Sequence, residues 1–214
     1  MSASESVWWR PRQRDWWMAV LFVLGAACFT VGGIASQWAQ TSRPAIGITF
    51  FVGSIFFTAA ACLQYAEARH QQRLDRIAAL VQLVGTVLFN ISTFAALRHN
   101  LTTHQTDARV WAPDVFGSVA FLVSSGISFW SIGRRWWCVR WHSTDWQIAA
   151  LNLLGSVAFG VSAIASLVQP STGEPLSAHI ANSGTSFGGA CFLVGALLLI
   201  PAAVTARSSR SDDA

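Results

Sequence analysis

The sequence predicts an all-α polytopic membrane protein, with six transmembrane helices set as three tandem helical hairpins and both termini cytoplasmic. Three observations carry that expectation: a composition poor in charge, six apolar runs of spanning length, and a residue pattern that recurs along the chain. Of the 214 residues, 53% are hydrophobic and 11% charged, against roughly 25% charged in a soluble domain. So few charges cannot cover a water-soluble globule, which excludes an ordinary soluble enzyme.

A spanning helix needs about 20 mostly apolar residues. Six segments qualify: 16–38, 44–66, 77–97, 113–133, 146–168 and 179–204. They divide the chain into an N-terminal segment 1–14, hairpins 15–66, 75–133 and 145–204, and a tail 205–214. Arg10, Arg12 and Arg14 precede the first span as in a signal peptide. Its apolar run is about twice the 7–15 residues of a signal core, so it reads as an uncleaved helix.

The net charge is +4, and all fourteen basic residues are arginine. The arginines stand in short clusters between apolar runs, where they set membrane orientation rather than grip phosphate backbones. No nucleic acid is expected as a partner. Eleven arginines fall on one side: Arg10, Arg12, Arg14, Arg69, Arg73, Arg76, Arg134, Arg135, Arg140, Arg207 and Arg210. Only Arg43, Arg98 and Arg109 fall on the other, which places both termini in the cytoplasm. Trp8, Trp9, Trp16, Trp17, Trp136, Trp137, Trp141 and Trp146 belong at the cytoplasmic headgroup level, and Trp38 and Trp111 at the outer one. A lysine-free chain fits a GC-rich bacterial gene, hence a bacterial inner membrane. Cys28, Cys62, Cys138 and Cys191 are scattered singly, with no disulfide framework.

The first, third and fifth spans share one register. Asp15, Asp75 and Asp145 are each followed by Ala at +4 (Ala19, Ala79, Ala149), Gly at +10 (Gly25, Gly85, Gly155) and Phe at +14 (Phe29, Phe89, Phe159). The even spans repeat Gly-x-x-x-Phe as Gly53 and Phe57, Gly117 and Phe121, Gly188 and Phe192. At about 100° per residue these positions form one stripe, and at about 1.5 Å per residue the glycines sit near mid-bilayer. Lipid gives helices no hydrophobic reason to associate, so close backbone approach at small residues must hold them. The stripe therefore reads as a helix-packing seam, each phenylalanine filling the groove at a neighbour's glycine. Asp15, Asp75 and Asp145 read as helix N-caps, accepting free N–H groups at the positive helix end.

Offset +7 holds Phe22, Gln82 and Asn152, and Asn90 lies further along the third span. Gln82, Asn90 and Asn152 read as interhelical hydrogen-bonding groups, with a polar track through the membrane as the alternative. No ionisable residue lies deep in a span, Asp114 and His179 being at outer ends. That argues against an ion-coupled pump. His99, His104 and His179, with Asp107 and Glu174, match no metal spacing and read as loop residues. The polar, glycine-rich segment 182–189 must be buried against other helices or a partner. Zinc-binding motifs, phosphate loops and dinucleotide fingerprints are all missing. No catalytic residue, cofactor or metal is expected.

A two-helix hairpin with Gly-x-x-x-Phe in both helices and an Asp15-Trp16 or Asp145-Trp146 start resembles the YrhK-like membrane domain, here in three tandem copies, the second carrying Arg76 in place of the tryptophan. The resemblance covers nearly the whole chain and implies no enzymatic activity. The length, the six spans and the lysine-free composition are also similar to the LucB-type accessory membrane subunits of Mce-type lipid importers. The expectation is a non-enzymatic accessory or scaffolding subunit of an inner-membrane complex, with the lipid bilayer and other integral membrane subunits, a lipid importer among them, as partners. The alternative is a small channel or facilitator with a polar path on a pseudo-threefold axis.

Overall fold

The computed structural model describes residues 8–38, 42–98, 100–133 and 139–212, with side chains for all of them except 133 and 202–212. His99, Arg134, Arg135, Trp136, Trp137 and Cys138 lie outside the described residues, as do the side chains of Arg207 and Arg210.

Helix α1 (Arg14–Ala35), α2 (Arg43–Ala68) and α3 (Arg73–Ala96) follow one another across short turns. A one-turn helix α4 (Thr103–Thr106) and a π-turn (Asp107–Trp111) lead into α5 (Ala112–Gly133). Helices α6 (Thr144–Ala165) and α7 (Ala178–Asp212) complete the chain. Six of these helices are long and apolar enough to cross a membrane, the fourth reckoned from Thr103.

Each long helix packs on its neighbour in the chain: α1 on α2, α2 on α3, α3 on α5, α5 on α6 and α6 on α7. Helix α7 then returns to α1, so the six close into a ring. Trp16 and Ala19, at the start of α1, share a cluster with Ile200 near the far end of α7. The chain therefore enters and leaves at one end of the ring, the termini end.

The outward face of each helix carries large apolar side chains such as Leu24, Val52, Val87, Val119, Val157 and Val194, all exposed. The inward face carries alanine, glycine, serine and phenylalanine, with Ala19, Ala26, Ala60, Ser54, Thr86 and Ser156 almost fully covered. This is the arrangement for a bilayer: bulk toward acyl chains, small residues where backbones meet.

Three sequence expectations are corrected. Asp15, Asp75 and Asp145 are not N-caps: Gln13, Gln72 and Ser143 hold those positions, and only Ser143 of the three caps with its side chain, accepting from the Trp146 N–H at 3.4 Å. Arg14, Arg73 and Thr144 extend the helices backwards, leaving the carboxylates inside the first turn, where they still face the positive end of the dipole.

The fourth helical stretch starts well before residue 113. Thr102 forms a capping box with Gln105, each side chain pairing with the other's backbone N–H at 3.3 and 3.2 Å. The π-turn then lies just ahead of Pro113, where a regular turn would set the proline ring against the Arg109 carbonyl. Finally, α7 continues past 204 to Asp212.

Candidate functional site

The centre of the ring is built from the glycine and phenylalanine positions. Within the pairs α1/α2, α3/α5 and α6/α7, seam glycines face each other. A methyl group on Gly25 would stand 3.0 Å from the Gly53 carbonyl oxygen, and one on Gly53 3.2 Å from that of Gly25. The same reciprocal contact recurs at 3.2 Å both ways for Gly85 and Gly117, and at 3.0 Å both ways for Gly155 and Gly188. Only residues without a side chain let backbones approach so closely, with Cα–H groups pointing at carbonyls.

The six phenylalanines converge on the axis in two layers. Phe29, Phe89 and Phe159 form one triangle, with ring centroids 6.2, 5.7 and 5.9 Å apart. Phe57, Phe121 and Phe192 form the other, at 6.3, 5.9 and 5.7 Å. The layers are joined by Phe29–Phe57, Phe89–Phe121 and Phe159–Phe192 at 5.5, 5.1 and 5.7 Å. All six are buried, at separations typical of attractive aromatic pairs. The space left between them is about 10 Å³, too little to hold a water molecule comfortably.

A cavity opens on each side of this plug. On the termini side, a cavity of about 130 Å³ is lined by Phe57 and Phe192 with Phe22, Gln64, Gln82 and Asn152. On the other side, a cavity of about 190 Å³ is lined by Phe29, Phe89 and Phe159 with Phe50, Asp114 and Thr185. The residue seven positions before each seam phenylalanine thus faces an axial cavity: Phe22, Gln82 and Asn152 in one, Phe50, Asp114 and Thr185 in the other. Sequence reasoning misses the second set, although its signal is present: Asp114 stands three residues before Gly117 and seven before Phe121, on the same stripe.

The predicted polar track is only partly brought together. Gln82 and Asn152 share the termini-side cavity, and Gln82 Oε1 accepts from Ser124 at 3.2 Å. Asn90 lies instead between α2 and α3, donating to Thr58 Oγ1 at 2.8 Å. Beside it Ser54 and Thr93 pair at 2.9 Å, and between α5 and α6 Ser125 donates to Ser156 at 3.0 Å. Small hydroxyls thus bind successive helix pairs to one another.

The polar segment 182–189 closes the ring. Asn182 donates to the Ser36 carbonyl at 3.2 Å, and Gln37 donates to Ser183 Oγ at 3.0 Å. A methyl group on Gly33 would meet Ser186 Oγ at 2.5 Å, and one on Gly189 the Thr30 nitrogen at 2.7 Å. Its other face meets α6, where Ser162 and Thr185 pair at 2.7 Å.

Trp111, expected at the headgroup level, sends its indole N–H to the Ala163 carbonyl at 2.9 Å and ties the π-turn to α6. Among the described residues, no three His, Cys, Asp or Glu side chains form a group able to hold a metal. The described architecture holds six helices long and apolar enough to cross a membrane, which fits a membrane protein. No family model, no curated protein and no solved structure matches the chain.

Proposed function

We propose that the protein is a multi-pass protein of a bacterial inner membrane, made of three tandem YrhK-like hairpins with cytoplasmic termini. In this reading it acts as a non-enzymatic accessory or scaffolding subunit of a larger membrane complex, a Mce-type cell-envelope lipid transport system being the class of partner. The reciprocal glycine contact, repeated in α1/α2, α3/α5 and α6/α7, supports the three hairpins. The bias of eleven arginines against three supports the orientation. The lipid-transport partner rests on the resemblance in length, span number and lysine-free composition.

One observation carries the functional reading: two phenylalanine triangles close the axis, leaving an outer face of apolar side chains as the broadest surface available for contact within the membrane. Extraction in mild detergent followed by native mass spectrometry tests it. A second membrane subunit should stay bound in fixed ratio; recovery of a lone monomer under every mild condition overturns the proposal.

A second reading has its own observation. Two cavities of about 130 and 190 Å³ lie on opposite sides of the plug, as in a facilitator gated by a hydrophobic constriction. Solute flux into proteoliposomes by the wild-type protein alone, above that of empty vesicles, would favour it.

A further inference from the structure

The cavity away from the termini combines features that helix packing does not require. Asp114 lines it, partly buried, with no hydrogen bond or ion pair among the described residues. A carboxylate at the edge of a spanning segment is costly without a partner and marks a site where one is expected. Arg43 and Arg98 line a neighbouring groove, which shares Gly47 and Ala96 with the cavity, but neither pairs with Asp114.

The other polar groups of the cavity are turned to accept. Ser92 donates its proton to the Val110 carbonyl at 2.8 Å, Ser162 to the Ala181 carbonyl at 2.6 Å and Ser166 to the Ala163 carbonyl at 2.9 Å. With their protons committed to backbone, Ser92 and Ser166 offer lone pairs to an incoming donor, while Ser162 already accepts from Thr185 at 2.7 Å and keeps one lone pair. Four phenylalanines, Phe29, Phe50, Phe89 and Phe159, also line the cavity, and phenylalanine rings attract cations through their negative faces. A bare metal ion wants several oxygens in a tight shell and usually more than one carboxylate, whereas Asp114 is the one acidic side chain lining this space of about 190 Å³, and among the described residues no three His, Cys, Asp or Glu side chains gather to hold a metal.

We propose that this cavity binds a small organic ammonium ion, with Asp114 as counter-charge, the phenylalanines as cation-holding walls and the serine hydroxyls as acceptors. The site would serve either reading of the protein's role and does not depend on which holds. Both a free amine and the headgroup of a choline or ethanolamine lipid carry this chemistry.

The test uses the full-length protein in lipid-free detergent, titrated with choline chloride and ethanolamine hydrochloride while thermal unfolding is followed. The controls are sodium chloride and the neutral carbon isostere of choline, 3,3-dimethylbutan-1-ol. Choline or ethanolamine should raise the melting temperature in a saturable way, and the controls should not. Asp114→Asn should weaken the effect by roughly tenfold or more, as expected for a lost charge pair. Should Asp114→Asn fail to fold, Phe50→Leu takes its place and should weaken binding several-fold.

Nanodiscs separate the two sources. A headgroup ligand predicts higher stability in phosphatidylethanolamine than in phosphatidylglycerol, a difference that Asp114→Asn removes. A free ligand predicts that choline acts equally in phosphatidylglycerol. Equal stabilisation by sodium or by the neutral isostere, or stabilisation that survives Asp114→Asn, overturns the proposal.

Discussion

Gly25 and Gly53 stand so close across α1 and α2 that a methyl group on either would fall within 3.0 to 3.2 Å of the other's carbonyl oxygen. On Gly25 the same methyl would also meet the Phe57 ring at 2.9 Å. Gly25→Ala should therefore force the helices apart and cost about 1–3 kcal/mol, as overpacking does elsewhere. A methyl group on Gly160, in α6, would find nothing within 4 Å, so Gly160→Ala should be neutral or stabilising by up to about 1 kcal/mol through helix propensity. Melting temperatures of the two variants in detergent check this. Equal values would show that the seam tolerates bulk.

The glycine and phenylalanine positions are legible in the sequence because a helical stripe is a local property. Their spacing of four residues fixes a shared face, whatever the neighbours are. Two other features are not legible in that way. Whether the helices form a ring or a row depends on α7 reaching α1, a contact between residues about 150 positions apart such as Asn182 and Ser36. Residues 182–189 announce that they need covering, but nothing in them names α1 as the cover. The second feature is Asp114, whose place along the span marks it as an outer-end residue, while its phase relative to Gly117 and Phe121 puts it on the axis. The N-cap expectation fails for a simpler reason: the acidic residue in each repeat is conspicuous, while the helix start depends on whichever upstream residue ceases to be helical.

Between α2 and α3, Asn90 donates to Thr58 at 2.8 Å, and its own Oδ1 is buried without a partner. Thr58→Val removes the acceptor of that amide and should cost about 1–3 kcal/mol, the usual penalty for a buried unsatisfied group. Ser54→Ala and Thr93→Val, which break the neighbouring 2.9 Å pair, should be milder. Their double-mutant cycle should give a coupling of about 0.6 kcal/mol, typical of hydrogen bonds between membrane helices. Reversible unfolding in mixed micelles measures all three; a Thr58→Val variant as stable as wild type would remove Asn90 from the interface.

Ring closure makes a covalent prediction. Gln37 Nε2, in the turn that follows α1, donates to Ser183 Oγ of α7 at 3.0 Å. With Cys28, Cys62, Cys138 and Cys191 replaced by alanine, Gln37→Cys together with Ser183→Cys should cross-link within one chain on mild oxidation or with a short bis-maleimide. Mass spectrometry of the monomer band would find the two peptides joined. A row of hairpins would leave these residues apart, and only intermolecular products would form.

The phenylalanine plug separates the two axial cavities, so thinning it should join them. Phe121 belongs to one triangle and touches Phe89 of the other at 5.1 Å. Phe121→Ala together with Phe89→Ala removes one ring from each layer along a single joined pair. The cost is high, since a buried Phe→Ala change loses about 3–5 kcal/mol in soluble proteins. The Gln37–Ser183 cross-link therefore serves as a check that the ring survives in the variant. Where it does, proteoliposomes should pass water and small neutral solutes such as glycerol faster than wild-type vesicles, measured by stopped-flow light scattering. The reason is that the plug excludes water only by filling space: the gap of about 10 Å³ among six rings grows past the size of a water molecule once two are truncated, with Gln82 and Asn152 on one side and Asp114 and Thr185 on the other to hydrate the path. Unchanged permeability with an intact cross-link would mean that something other than these rings seals the axis.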